Sequence, residues 1–130
     1  MANAHLLHAT LRRIQVCPER WNQMTYRRRD QGCFAYHAAL LAGAQLARPN
    51  PVIAGTDGSV IGSNHSTELV FNEAARALGF AEGDTISIPA FARKALRLRV
   101  QEAAELFDAL NTLADLERFV RRYARTDECA

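Results

Sequence analysis

The stretch from Gly32 to Ala47, GCFAYHAALLAGAQLA, constrains this chain more than any other. It is the most apolar segment, and alanine makes up much of it. Phe34, Ala38, Leu41 and Ala42 recur at helical spacing, and Ala35, Ala39 and Leu46 widen that face. Such a helix has almost no polar side to offer water, so it belongs inside a bundle. Its small side chains let neighbouring helices approach closely. Arg48-Pro49-Asn50-Pro51 is expected to end it, since proline lacks the N–H and restricts the residue before it. The spacing therefore predicts a central helix over residues 32–47.

The remaining segments read as partners for that helix. Over residues 4–16, Leu7, Leu11 and Ile14 form an apolar stripe, with Arg12 and Arg13 off it. Pro18-Glu19 starts a further helical turn that carries Trp21 inward and reaches Gln23. Thr25 to Asp30 is polar and basic and reads as an exposed loop. Residues 66–78 are expected to be helical from Ser66 as N-cap, with Phe71, Ala74, Ala75 and Leu78 inward and Gly79 as the left-handed stop. Ile86 and Ile88 alternate with Ser87 in a brief extended stretch. Residues 89–98 and 100–108 are helical, with a break near Arg99 and with Phe91, Ala95, Leu98, Val100, Ala103 and Phe107 facing the core. A last helix spans 112–125, capped by Thr112 with Asp115 at its third position, and buries Leu113, Leu116, Val120 and Tyr123. Residues 1–3 and 126–130 are expected to fray.

One segment departs from the helical pattern. In VIAGTDGSVIG, Val52-Ile53 and Val60-Ile61 flank Asp57-Gly58, a turn pair suited to positive φ. This predicts a small β-hairpin over residues 52–62 that packs on the helices, because an isolated hairpin is marginal in water. The fold class expected is mainly α: a single compact domain of about six helices with one hairpin. At 130 residues the chain is long enough to bury a core unaided.

Composition narrows the function classes. The net charge of +2 is too small to imply nucleic acid. Fifteen of the sixteen basic residues are arginine, which a GC-rich coding sequence would produce. The start of the chain has no basic segment followed by an apolar one, and no apolar run is long enough for a bilayer, so a cytoplasmic protein is expected. The three cysteines, Cys17, Cys33 and Cys129, are widely spaced, which argues against a disulfide framework. No CxxC or HxxxH pair is present, so neither zinc nor another cofactor is expected. His5 and His8 are read as solvated.

Several motifs together resemble a family. Pro18-Glu19-Arg20-Trp21-Asn22-Gln23, Gly32-Cys33-Phe34-Ala35, Ala75 to Phe80, Phe91 to Leu96, Leu106-Phe107-Asp108 and Asn111-Thr112-Leu113 form the pattern. It is similar to that of short uncharacterised actinobacterial and actinophage proteins, in which a P-E-x-W-x-Q box precedes C-x-A-G, Leu-Phe and an N-T-L-x-D-L-like helix. The resemblance covers roughly residues 10–123 and implies a compact domain in a GC-rich, phage-linked host. It transfers no catalytic residue. Tyr36 stands where those proteins have glycine and His37 follows it; the arginine loop and the hairpin match poorly.

Three function classes follow from the residues. The leading one is a small helical accessory protein that binds another macromolecule, expected to be a protein, or that self-associates. Trp21, Gln23, Arg27, Arg28, Arg29 and Tyr36 are its candidate binding residues, and Val52, Ile53, Val60 and Ile61 would form a dimer or partner surface if exposed. The alternative is a thiol enzyme. Gln31-Gly32-Cys33-Phe34-Ala35 resembles the nucleophile segment of papain-like enzymes, and Cys33 at a helix start would have its thiolate favoured by the helix dipole. Its base would be His65 or His37. The third class is a weak nucleic-acid binder using Arg27–Arg29 and the group Arg118, Arg121, Arg122 and Arg125. Against each functional reading stands a plainer one: Cys33 as a buried apolar residue, Trp21 as a core anchor, the arginines as a solvated face, and the glycines of residues 55–62 as turn residues rather than a phosphate loop.

Overall fold

The computed structural model describes residues 2–28, 30–47, 50–53, 60–64 and 68–128, with side chains described for 2–28, 30–47 and 68–124. Helix α1 is Ala4–Val16 and is followed by a 3-10 turn, Pro18–Arg20. Helix α2 is Phe34–Leu41. Strands β1 (Gln45–Leu46), β2 (Asn50–Ile53), β3 (Val60–Asn64) and β4 (Glu68–Val70) come next. Then follow α3 (Glu73–Ala77), β5 (Ile86–Ser87), α4 (Ile88–Leu96), α5 (Val100–Leu106) and α6 (Leu113–Glu128). The domain is mainly helical, as expected, with six α-helices among the described residues.

Helix α2 is the centre of the bundle. Every residue from Phe34 to Ala39 is buried, and α1 and α4 pack against it, while α6 closes on the far side of α1. A helix apolar on all sides needs such cover. Ala35, Ala38 and Ala39 allow the close packing, and Phe34 fills the space between. The N-terminus is docked as well. The Asn3 side chain accepts the Leu6 N–H at 3.1 Å as the cap of α1 and donates to the Ala95 carbonyl at 3.2 Å. Ala2 is buried, so residues 2 and 3 are held rather than splayed.

Several boundaries differ from expectation. The central helix ends at Leu41, not near Ala47, because Gly43 takes φ +94° and the chain turns into β1. The helix expected over 66–78 is shorter: Glu68–Val70 is strand β4, and α3 starts after Asn72, whose Oδ1 accepts the Ala75 N–H at 3.0 Å. Ser66 lies outside the described residues. Val100 was expected inward but stands on the solvent side of the first turn of α5. The last helix continues through Glu128.

The hairpin forms as antiparallel β2 and β3, with Asn50 opposite Asn64 and Ile53 opposite Val60. Its Asp57-Gly58 apex and its side chains lie outside the described residues. A second, three-stranded antiparallel sheet in the order β1-β4-β5 was not anticipated. Each of its outer strands is two residues long, too short for alternation to show. This sheet delivers the chain into α4. Ser87 ends β5 and caps α4, its Oγ accepting the Ala90 N–H at 3.3 Å.

Candidate functional site: a groove beside the cysteine

The chain between the 3-10 turn and α2 is built around Gln23. Its Oε1 accepts the Trp21 indole N–H at 2.9 Å and the Phe34 backbone N–H at 3.2 Å. Its Nε2 donates to the Leu106 carbonyl at 3.1 Å and to the Asp108 carbonyl at 3.0 Å. This buried amide uses both its donors and both its acceptor sites. It joins the Pro18–Gln23 segment, the start of α2 and the end of α5. Trp21 and Gln23, both candidate binding residues, are thereby brought together as a structural clasp. The fit is tight at Gly32 too, where a Cβ would overlap the Tyr36 ring. Tyr36 is itself buried against His37, ring edge to face at 5.2 Å, and offers no surface for a partner.

Cys33 caps α2 without a side-chain capping bond and is only 1% exposed. Burial pushes its thiol pKa up, and backbone N–H groups of the first helical turn oppose that only in part. A nucleophilic cysteine needs the opposite balance. His37 lies one turn along, but both ring nitrogens are engaged elsewhere. Arg13 Nε donates to Nδ1 at 3.0 Å, which places the ring proton on Nε2, facing the Arg20 carbonyl at 3.0 Å. Burial, with the Arg13 guanidinium adding to it, holds the His37 pKa below the ordinary histidine value. His65 lies outside the described residues. So do Arg29 and Cys129.

The arginines are dispersed in role. Arg27 donates to the Ala47 carbonyl at 2.9 Å and Arg28 is exposed in a tight turn with Gln31. Arg118 pairs with Asp115 at 3.1 Å and lies over the Phe119 ring, while Arg121 and Arg122 face solvent. His5 and His8 are exposed on α1. Among the described residues no group of three or more His, Cys, Asp or Glu side chains could hold a metal ion. No helix among them is long and apolar enough to cross a membrane.

A concavity lies beside this clasp. A groove of about 780 Å³ opens between the loop Gln23–Tyr26 on one side and α4 and α5 on the other, with Cys33 in its lining. Pro89, Ala90, Ala103, Ala104 and Phe107 make it largely apolar. Three apolar side chains around it are turned outward: Met24 is 79% exposed, Val100 66% and Tyr26 39%. Burial of the Tyr26 phenol, together with the nearby Cys33 thiol, raises its pKa. Arg93 and Asp108 supply the charged groups of the lining.

The sequence names Cys33 and Gln23 as candidates in different roles but predicts no groove, and it does not single out Met24, Arg93, Val100 and Asp108, which also line it. The available signal was Met24 and Tyr26, two large apolar-bodied residues inside a polar, basic loop with no periodic apolar partner. No protein-family model matches the chain, and no curated protein or solved structure is significantly similar to it.

Proposed function

We propose that this protein is a binding module that takes an apolar segment of a partner protein into the groove between the Gln23–Tyr26 loop and helices α4 and α5. The observation that carries this reading is the outward-turned set Met24, Tyr26 and Val100 around an open apolar groove. Exposed apolar side chains gathered at a concavity have a cost in water that a partner removes. The clasp made by Gln23 favours binding over chemistry, since its amide ties the groove wall to α2 and α5 with all of its own hydrogen-bonding sites used. The raised thiol pKa of Cys33 and the engaged ring of His37 also weigh against a thiol enzyme. In this reading the motifs that resemble those of the short actinobacterial and actinophage proteins form the frame of the groove: the Trp21–Gln23 box, the start of α2 and Leu106–Asp108.

Selection of displayed random peptides against the full chain tests the proposal. It is expected to return apolar sequences whose binding is lost in Val100→Glu and kept in Leu110→Glu, a similarly exposed site that is not part of the groove lining. Recovery of no peptide, or of peptides indifferent to Val100→Glu, would sink it. So would a dimer in solution that Val100→Glu dissolves, because a second copy would then be the occupant.

A further inference from the structure

Arg93 is the unusual member of the groove lining. Its guanidinium carries a positive charge, yet the residue is half-buried on α4 in a largely apolar lining. The ion pairs among the described residues are Arg76–Glu73 and Arg118–Asp115, and neither involves it. Its one hydrogen bond, from Nη1 to the Leu98 carbonyl, is 3.4 Å long, near the outer limit of such contacts. Water must therefore satisfy most of its five donors while the groove is open.

Covering the groove changes that balance. An apolar segment laid over Met24, Val100 and Phe107 would strip water from the guanidinium and return nothing. A carboxylate would replace the lost water with charge-assisted hydrogen bonds, in a site drier than bulk solvent. A cationic segment would be repelled. Asp108, the acidic side chain of the lining, does not reverse this preference. Its carboxylate is already partly engaged, with Oδ1 accepting the Leu110 N–H at 2.9 Å, and it makes no ion pair with Arg93.

We propose that Arg93 is the specificity-determining residue of the groove, and that the partner segment carries an aspartate or glutamate side chain among its apolar residues. The side-chain source is favoured over a chain terminus because the groove is an open concavity rather than an enclosed cavity. This inference rests on the groove reading above and adds the chemistry of the partner to it.

Short apolar peptides, acetylated and amidated at their ends, would be presented to the full chain in three sets that differ at one position: glutamate, glutamine or lysine. The glutamate set is expected to bind about tenfold more tightly than the glutamine set, the gain of one well-placed charged contact. Lysine should bind more weakly than either. Arg93→Gln should erase the difference between glutamate and glutamine, and Arg93→Lys should keep part of it; both variants should melt within a few degrees of the parent. If all three sets bind alike and Val100→Glu abolishes them, the groove reading holds and the role of Arg93 is wrong. Preference for a free C-terminal carboxylate over an internal glutamate overturns the side-chain assignment. If no set binds, or binding ignores Val100→Glu, the groove reading falls and this inference falls with it.

Discussion

Gln23 carries four hydrogen bonds that tie its neighbour Trp21 to two parts of the chain farther along the sequence, the start of α2 and the end of α5. A residue in that position costs far more to remove than its own bonds contribute, because its partners stay behind. Gln23→Ala would leave the Phe34 N–H and the Trp21 indole N–H without their acceptor, whereas the Leu106 carbonyl keeps Asn111 Nδ2 at 3.1 Å and the Asp108 carbonyl keeps the Asn111 N–H at 3.1 Å. With about 1–3 kcal/mol for each stranded group, a loss of about 2–4 kcal/mol is expected in urea unfolding. Trp21→Phe keeps most of the apolar surface and drops one bond, so about 1 kcal/mol is expected. Equal costs for the two would show that Gln23 is not the hub. The presence of a Trp-x-Gln pair was legible in the sequence; its partners at Leu106 and Asp108 were not, because nothing local encodes a contact across more than eighty residues.

Three helices end by the same device. After α2, Ala44 N–H reaches back to the Ala39 carbonyl and Gly43 N–H to that of Leu40, with Gly43 left-handed. After α3, Phe80 and Gly79 repeat this with Ala75 and Arg76. After α4, Leu98 N–H bonds to the Arg93 carbonyl and Arg97 N–H to that of Lys94, and the left-handed residue is Arg97 at φ +57°. Glycine adopts that conformation without a Cβ clash, whereas an L side chain does so at a cost of about 1–2 kcal/mol. Part of that cost is offset by the greater freedom of glycine in the unfolded chain. Arg97→Gly is thus expected to stabilise the fold by about 0.5–1 kcal/mol, read as a higher denaturation midpoint at unchanged slope. A lower midpoint would mean that the Arg97 side chain contributes more than its backbone costs. At this scale the glycine stops could be read from sequence, and Gly79 was. Gly43 was passed over because the apolar pattern continues beyond it to Leu46; a helical period persisted where the backbone had already turned.

At the scale of the molecule, His37 couples α1, the 3-10 turn and α2 through Arg13 and the Arg20 carbonyl. Its ring is buried and neutral, and its folded pKa lies below the ordinary value of 6.5. A depressed histidine pKa means that the unfolded chain binds the proton more readily. Stability from this group is then full above about 6.5 and falls as pH drops below it, by at most about 1.4 kcal/mol per pH unit, until the folded pKa is reached. Protonation would also end the bond from Arg13, since both partners would then be donors. Urea midpoints of the parent should decline between pH 7.5 and pH 5 more steeply than those of His37→Gln, which has no proton to gain there. Parallel declines would assign the acid sensitivity to other groups.

What the sequence determined by itself is the set of elements whose causes are local. Helical periodicity placed α1, α4, α5 and α6, β-branched runs around a turn placed β2 and β3, and Ser/Thr/Asp chemistry placed the cap of α6, where Thr112 and Asp115 exchange hydrogen bonds. The tertiary structure alone decided what depends on neighbours far along the chain. The β1-β4-β5 sheet exists because strands too short to show a pattern find one another. Cys33 is buried, although a position at a helix start with arginines nearby is equally compatible with an exposed thiolate, because the loop after Gln23 folds back over it and ties its N–H to the Thr25 carbonyl at 2.8 Å. The groove arises the same way. Met24, Arg93 and Val100 come from three separate segments, and only the packing of α4 and α5 against the Gln23 clasp sets them around one space.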